Sequence, residues 1–421
     1  MDAWSRPALR SVESIVVPDR KHGRVLVLRD THGVTDAQVL LPPVLVPIVA
    51  RFDGALTCAA IAREASEQIG SEVPVEVVIR LANDLERGLF LEGRPFREAR
   101  ARGEREFSEA PVRSASHAGS AYYADAPALE RYIEESCFSP PKGRGPAAGP
   151  IGGASSNGAR MVALIAPHID PWRGAAGYGA AYGALAAALP PKADTFVLFG
   201  TSHAPMREPF ALCRKAFATP LGTIEADLQS IDALAASAVG FDPYADQFNH
   251  KREHSLEFQV VFLKHLLGER RARIVPILAG LSAHQARGED PDGDRGVTVF
   301  VDAVRALVEA RPGRVVVIAG ADLAHVGPRF GDELALDADQ RERLDRQDRQ
   351  SIEHAASLDA RGFWAHVVGD LGERRVCGLA PIWSLLRAVS GGARGSLLHY
   401  EQTMDPEDGS IVSHAALAYY A

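Results

Sequence analysis

Five short apolar runs beyond residue 158 constrain the fold of this chain more than any other feature. Most are rich in Val, Ile and Leu and stop at Pro or Gly; they read MVALIAP, TFVLFG, RIVPILAG, GRVVVIAG and VSHAALAYY. Runs of this length without alternating polar residues are typical of strands buried in a parallel sheet. Helical stretches such as YGAAYGALAAAL and LEFQVVFLKHLLG lie between them. This alternation predicts an α/β domain over residues 159–421, with a mostly parallel central sheet flanked by helices.

Two of these predicted strands run directly into a histidine. His168 follows the first strand and His203 follows the second, while Cys377 opens a Cys-Gly-Leu turn far downstream. In open α/β sheets, ligands collect where the carboxyl ends of the strands meet their loops. Two imidazoles and a thiolate could form a three-ligand metal site with open positions. Each residue taken alone is more often an ordinary loop or core residue, so the prediction depends on all three meeting.

Composition limits the classes of protein that this chain can belong to. It has 421 residues, a net charge of −8 and a pI near 6.0, which argues against nucleic-acid binding. No apolar run approaches the ~20 residues of a membrane-spanning helix. Its four cysteines lie far apart, which predicts a reducing, cytoplasmic location without a disulfide framework. Apart from Cys377, the cysteines are expected to be inert core residues, namely Cys58, Cys137 and Cys213.

The first 158 residues are predicted to form a separate domain and a connection. Over residues 1–95, GRVLVLRD and AQVLL read as a β-ribbon, and three helices follow at VLVPIVARF, CAAIAREASEQIG and VEVVIRLANDLERG. This order predicts a small winged-helix-like α+β domain. Residues 96–158 are interpreted as a solvated charge run, one helix at AYYADAPALERYIEESCF, and a flexible Pro/Gly/Ser linker.

Six ordered segments of the α/β region resemble the Memo-like family. They are APHIDPWRGAAGYGAAY, LFGTSHAP, REHSLEFQVVFL, IVPILAG, AGADLAHVG and CGLAPIWSLL. The family is also called AmmeMemoRadiSam system protein B and is related to class III extradiol dioxygenases. The resemblance implies that His168, His203 and Cys377 form the metal site and that His325 is a general base beside it. The related dioxygenases use two histidines and a carboxylate, so a cysteine makes this site softer and favours one transition metal, Fe(II) or Cu(I), with zinc as an alternative.

Three further residues are expected to support this site. Asp322 lies three residues before His325 and is predicted to orient an imidazole or a ligand, although it could simply cap a turn. His254 and Glu257 are three residues apart, which places them on one face of a helix start. They are predicted to contact the metal ligands or a substrate.

The sequence departs from the commoner family pattern in two places. The first strand is followed by Pro-His-Ile-Asp-Pro-Trp-Arg, where many members have Pro-His-Ala-Gly-Tyr, so Asp170 and Arg173 add charges at the rim of the pocket. The strand before His325 ends in Ala-Gly-Ala-Asp, where the family often has Ser-Ser-Asp, and two hydroxyls are lost. The first change implies a different substrate or partner, and the second puts a hydrogen-bonding role there in doubt.

The N-terminal region is similar to PqqD-like winged-helix modules, which bind an extended peptide along a strand edge. The similarity rests on the ribbon, the Phe-Asp-Gly turn at Phe52 and the leucine-rich last helix. A purely structural domain is the alternative. DNA binding is a third option, but the last helix carries more acidic residues than arginines, which argues against it.

Three functions follow from these observations. The first is a metal-dependent, oxygenase-like enzyme that acts on a small molecule. The second is a metal-binding or redox scaffold without turnover, because a thiolate ligand is itself easily oxidised, which argues against oxygen chemistry. Such a scaffold would recruit peptides or a partner protein through its pocket and N-terminal module. The third is a metal-free binding protein. Nucleic acid and membranes are not expected partners, and no oligomeric state is predicted.

Overall fold

The computed structural model describes residues 1–139, 160–389 and 392–421, so most of the predicted Pro/Gly/Ser linker lies outside the described residues. The chain divides into two compact units. Unit 1 contains residues 1–110 and 327–334, and unit 2 contains residues 111–326 and 335–421. Within the described ranges, the helices are all too short or too polar to cross a membrane.

Unit 1 is a small α+β domain with an antiparallel sheet. Its three strands, in the order β1-β2-β3, are β1 (Glu13–Asp19), β2 (Gly23–Arg29) and β3 (Gln38–Leu41). The helices that follow are α1 (Val46–Val49), α2 (Cys58–Ile69), α3 (Val75–Arg87) and α4 (Arg94–Glu109). Helix α2 begins where the Thr57 side chain accepts from the Ala60 amide, and it ends at Gly70 with φ of 72°.

Helix α4 differs from the solvated connection that its charges predict. Phe96 and Phe107 are buried along one face, whereas Arg94–Glu98 and Arg100–Glu104 ion pairs lie four residues apart on the other. The apolar residues are few but recur at helical spacing, so the segment forms an amphipathic helix that belongs to unit 1.

Unit 2 is built on a large, mostly parallel sheet. Its strands are β4 (Val112–Arg113), β5 (Met161–Ala166), β6 (Thr195–Thr201), β7 (Phe210–Leu212), β8 (Ala216–Thr219), β9 (Gly222–Ala226), β10 (Arg273–Ala279), β11 (Val315–Gly320), β12 (His325–Val326), β13 (Arg394–Met404) and β14 (Ile411–Tyr420). Strands β5, β11, β6 and β10 are adjacent and parallel, as the apolar runs predict. The last predicted strand, β14, runs antiparallel to β5 and pairs with β13.

Helices cover both faces of this sheet, which confirms the predicted α/β fold. They are α5 (Ala126–Tyr132), α6 (Pro171–Ala188), α7 (Leu228–Ser237), α8 (His254–Leu267), α9 (Ser282–Arg287), α10 (Arg295–Ala310), α11 (Ala338–Ala356), α12 (Ala360–Val368) and α13 (Leu379–Ala388). Helix α5 continues into a π-helical turn, Ile133–Phe138. Helices α6 and α8 pack on one face, and α10, α12 and α13 bury the main apolar core on the other.

Two glycines let the first turn of α8 lie directly on the strands. An added Cβ at Gly200 in β6 would lie 2.6 Å from the Ser255 hydroxyl oxygen, and one at Gly320 in β11 would lie 2.3 Å from the Ser255 carbonyl oxygen. No side chain larger than hydrogen fits at that separation. The start of α8 is therefore held at the carboxyl ends of the central strands.

Candidate metal centre

Three adjacent strands each place a polar side chain two residues past their carboxyl ends. His168 follows β5, Asp322 follows β11 and His203 follows β6, and these strands lie side by side in that order. Cys377 lies in the turn before α13, where its carbonyl oxygen accepts from the Thr201 hydroxyl at 3.0 Å. Four separate segments of unit 2 thus converge at one edge of the sheet.

The structure brings the three predicted metal ligands together. The donor atoms of His168, His203 and Cys377 all lie within 4.8 Å of one another. The Cys377 sulfur is 3.1 Å from Nε2 of His168, and the centroids of the two imidazole rings are 5.2 Å apart. His168 is buried, and the other two are partly buried. The arrangement can hold one metal ion.

Hydrogen bonds at Nδ1 fix which nitrogen each histidine presents. Nδ1 of His168 faces the Gly320 carbonyl oxygen at 2.9 Å, and Nδ1 of His203 faces a carboxylate oxygen of Glu253 at 3.0 Å. The Glu253 side chain also accepts from the His203 amide at 2.8 Å. With Nδ1–H donated in both rings, Nε2 is the nitrogen left for a metal.

The charges around Cys377 favour its thiolate form. Burial alone would raise the pKa of this thiol, but His168 and His325 outweigh that effect and lower the pKa to about 5. Burial likewise opposes a charge on His168, yet the Cys377 thiolate and Asp322 raise the pKa of His168 to about 9. The thiolate is the form that binds metals, whereas His168 must release a proton before its Nε2 can bind a metal ion.

Asp322 and His325 both lie beside the three ligands. The Asp322 carboxylate accepts from the His168 amide at 2.9 Å, and its main-chain oxygen accepts from the Gly378 amide at 3.0 Å. Nδ1 of His325 lies 3.3 Å from the Leu323 carbonyl oxygen. The main-chain amide of His325 donates to the carbonyl oxygen of Arg374, in the loop before Cys377, at 2.7 Å. Asp322 therefore links His168 to the cysteine turn, and His325 flanks the thiolate.

His254 lies in the same cluster, and Glu257 lies behind it. The His254 ring stacks on His203 at 4.4 Å and lies 5.3 Å from the ring of His168. Burial and the neighbouring His203 hold the pKa of His254 well below its ordinary value, so this imidazole is neutral. The carboxylate next to a ligand is Glu253, whereas Glu257 is buried against residues that precede α5.

Sequence reasoning missed two residues near this centre, Glu253 and His117. Glu253 directly precedes His254 and accepts from the Ser255 amide at the start of α8, so its helix-capping position was a usable signal. His117 lies in a segment interpreted as connection, with no strand or helix pattern around it. Its ring lies 5.6 Å from that of His254.

The two charges expected at the rim bind each other. The Asp170 side chain caps α6 by accepting from the Arg173 amide at 3.1 Å, and it also accepts from Nε of Arg173 at 2.5 Å. Between them, Trp172 is exposed and packs edge-on against Tyr123 and Tyr132 at 4.6 and 4.7 Å. The start of α6 is therefore partly aromatic, and its two expected charges are paired with each other.

A cleft of about 870 Å³ lies at the opposite edge of the sheet, where β6 and β10 begin. Two of its acidic groups, Asp194 and Asp227, are both bound by Arg311, at 3.2 and 3.1 Å. None of its described lining residues is a histidine or a cysteine. This cleft is separate from the cluster at the carboxyl ends.

Comparison with known proteins relates the chain to one family. The family model of Memo-like proteins matches residues 113–418. A MEMO1 family protein of Aquifex aeolicus is 25% identical over 401 residues, which cover 95% of this chain and 97% of the relative. One from Methanosarcina acetivorans is 33% identical over 231 residues, or 54% of this chain and 76% of the relative. The solved structure of an uncharacterized Escherichia coli K12 protein aligns with a TM-score of 0.31 and 13% identity, over 62% of this chain and 99% of that one.

Proposed function

Since this chain belongs to the Memo-like family, which is related to extradiol dioxygenases, we propose that it is a metal-dependent redox enzyme of the oxygenase type. The observation that carries the proposal is the convergence of His168, His203 and Cys377, with the Nδ1 atoms of both histidines held by oxygen acceptors. Three protein ligands are fewer than Fe(II) or Zn(II) takes, so positions remain for a substrate on such a metal.

The donor set fits a transition metal. One thiolate and two imidazoles suit Fe(II), Cu(I) or Zn(II), whereas Mg²⁺ and Ca²⁺ prefer oxygen donors. Glu253 and the Gly320 carbonyl hold the two imidazoles by their Nδ1–H groups, which is the usual support for histidine ligands. We propose Fe(II) or Cu(I) as the metal of the redox reaction.

Such a metal, when bound, supplies a Lewis-acidic, redox-active centre with open positions. The protein residues have the remaining tasks. With Nδ1 turned to the Leu323 carbonyl, His325 can accept a proton at Nε2, as expected of a general base. Asp322 keeps the His168 main chain in place, and neutral His254 adds no charge that would repel a cation.

The experiment that tests this proposal is metal analysis of protein purified without oxygen. We expect about one iron or copper per chain, and at least about tenfold weaker binding in Cys377→Ser, the usual effect of losing a ligand or its close support. Cys58→Ser is the matched control, because Cys58 is a buried thiol in unit 1. Wild-type protein that takes up neither Fe(II) nor Cu(I) would contradict the proposal, and unchanged affinity in Cys377→Ser would remove Cys377 from the site.

A second function, peptide or partner-protein binding by unit 1, has one observation in its favour. Strand β3 pairs with β2 on one side only within the described chain, and Leu40 on it is 58% exposed. Val44, just beyond it, is 59% exposed. An unpaired strand edge with apolar side chains can take an added peptide strand.

A pull-down from a peptide library tests this second function. Binding should survive Cys377→Ser, which leaves unit 1 untouched, and should be lost in Val39→Pro, which introduces proline into the edge strand. Leu40→Lys should weaken binding through its side chain alone. Failure to capture any peptide, or capture that depends on Cys377, would contradict this function.

A further inference from the structure

A buried carboxylate behind the metal cluster is held by a segment that the proposed mechanism does not use. Glu257 is 1% exposed, and it accepts from the His117 amide and the Ser116 hydroxyl, both at 2.9 Å. Arg113 and the Tyr122 hydroxyl also donate to it at close range. The segment from Arg113 to Tyr122 therefore wraps around one side chain of α8.

The donors keep Glu257 ionised and fixed. Burial favours the neutral acid, but Arg113 and His117 hold the pKa of Glu257 well below its ordinary value. Arg113 is itself buried and donates to the main-chain oxygens of His250 and Glu253, both at 2.9 Å. Neither side chain has room to turn, so the direction of the carboxylate is fixed by the fold.

His117 is the partner of Glu257 whose ring lies beside the His254 ring. Its Nδ1 lies 3.0 Å from a Glu257 carboxylate oxygen, so in the neutral ring Nδ1–H donates and Nε2 carries the lone pair. Its side chain is 27% exposed, and no described residue hydrogen-bonds to Nε2. A buried carboxylate thus orients a partly exposed imidazole by its Nδ1.

The His117 ring continues the row of rings that starts at the metal ligands. The His203 and His254 rings are 4.4 Å apart, and the His254 and His117 rings are 5.6 Å apart. Phe258 packs edge-on against His117 at 5.8 Å and gives this end of the row an apolar side. A planar ligand with a polar substituent matches a surface of this kind.

We propose that His117 contacts the ligand of the metal pocket, accepting a hydrogen bond at Nε2 from a hydroxyl group, and that Glu257 is its positioning residue. The inference rests on the proposed function, because the ligand is the one bound beside the metal. It assigns the segment after β4 to ligand recognition. It also makes Glu257 a residue that positions His117. The three-residue spacing of Glu257 from His254 predicts instead a direct contact with the metal ligands or a substrate.

The test uses the full chain loaded with Zn(II), which cannot change its oxidation state, and catechol as the hydroxyl-bearing probe. Calorimetry measures the Kd for zinc and then the Kd for catechol. His117→Asn keeps an amide donor for Glu257 and removes the outward acceptor. We expect about tenfold weaker catechol binding, in the range of one lost hydrogen bond, with zinc affinity within about twofold of wild type.

His265→Asn is the matched control, because His265 bonds to the exposed carboxylate of Glu134 at 2.8 Å. It should bind zinc and catechol as the wild type does. Glu257→Gln should lose as much catechol affinity as His117→Asn, and the double variant should lose no more, since Glu257 acts through His117. Side-chain ¹⁵N spectra should show one His117 tautomer in the wild type and two in Glu257→Gln.

The outcomes separate this inference from the proposed function. Wild-type protein that binds no transition metal defeats the proposed function and this inference with it. If zinc and catechol bind but His117→Asn binds catechol normally, only the role of His117 is overturned. Zinc binding without catechol binding overturns the hydroxyl-bearing class of ligand.

Discussion

The histidines around Cys377 differ in what their Nδ1 atoms face. A main-chain carbonyl faces Nδ1 of His168, and a carboxylate faces Nδ1 of His203. Nδ1 of His325 faces the carbonyl of Leu323. Since a neutral imidazole that donates at one nitrogen accepts at the other, these partners decide where a proton or a metal can bind. Residue type alone does not contain that information.

The reactivity of Cys377 gives the first prediction. In metal-free protein its alkylation by iodoacetamide should be nearly independent of pH between about 6 and 9, because the lowered pKa of about 5 keeps the thiolate populated there. The rate should fall only below about pH 5. Peptide mapping after timed alkylation measures it.

The other cysteines serve as internal controls for that experiment. Burial raises the pKa of Cys137 to about 12 and that of Cys213 to about 11, and it also raises the pKa of Cys58. All three should stay unmodified in the folded protein. A Cys377 rate that rises tenfold per pH unit from 6 to 8 would show an ordinary thiol.

Glu253 gives the second prediction. Glu253→Gln should weaken metal binding about tenfold, because the ring of His203 loses the carboxylate that orients it and increases its basicity. Glu134→Gln is the matched control, since it removes the carboxylate from the exposed pair with His265. Metal affinity equal to wild type in Glu253→Gln would mean that Glu253 does not support a ligand.

At the scale of elements, the apolar runs determine most of what could be predicted. Strands β5, β6, β10 and β11 are buried on both faces, so their composition reveals them without help from neighbours. The convergence of His168 and His203 follows from parallel strands, because their carboxyl ends share one edge.

Elements with few apolar residues escaped prediction. In α4, Phe96 and Phe107 are separated by charges, and only the packed structure shows which face is buried. The segment with His117 shows no hydrophobic periodicity, because hydrogen bonds to the buried Glu257, and not apolar contacts, hold it in place. Long-range polar contacts leave no local sequence pattern.

The packing of α8 on the strands gives the third prediction. Gly320→Ala would place a Cβ 2.3 Å from the Ser255 carbonyl oxygen and 2.8 Å from Nε2 of Gln259, so the helix start must move. We expect a loss of about 2 kcal/mol of unfolding free energy, typical of overpacking, and weaker metal binding because Glu253 moves with α8. Urea unfolding and metal titration measure both effects.

The control for this prediction is Gly293→Ala, where an added Cβ has nothing within 4 Å. That variant should unfold and bind metal like the wild type. A Gly320→Ala protein of normal stability and affinity would show that α8 can move away from the sheet without consequence to the site.

At the scale of the whole molecule, the two proposed functions belong to different units. The metal ligands, their supporting residues and His117 all lie in unit 2, whereas the open edge of β3 lies in unit 1. Unit 2 begins at Pro111, well before the predicted domain start at residue 159. The family match starts at residue 113, close to that boundary.

Two truncated chains provide the fourth prediction. A chain of residues 111–421 should bind metal within about threefold of the full chain, since it keeps all of the ligands and the donors to Glu257. A chain of residues 159–421 keeps the same ligands but leaves Glu257 buried without Arg113. Removing one partner of a buried ion pair costs about 3–5 kcal/mol, so this shorter chain should be much less stable.

Urea unfolding of the two chains, followed by metal titration of whichever is folded, measures the difference. Both keep residues 327–334, so the loss of unit 1 contacts by that segment is the same in each. Adding Glu257→Gln to the 159–421 chain removes the unpaired charge and should recover part of the lost stability. Equal stability of the two original chains would mean that residues 111–158 are a connection after all, because the buried carboxylate would then have no need of the segment that surrounds it.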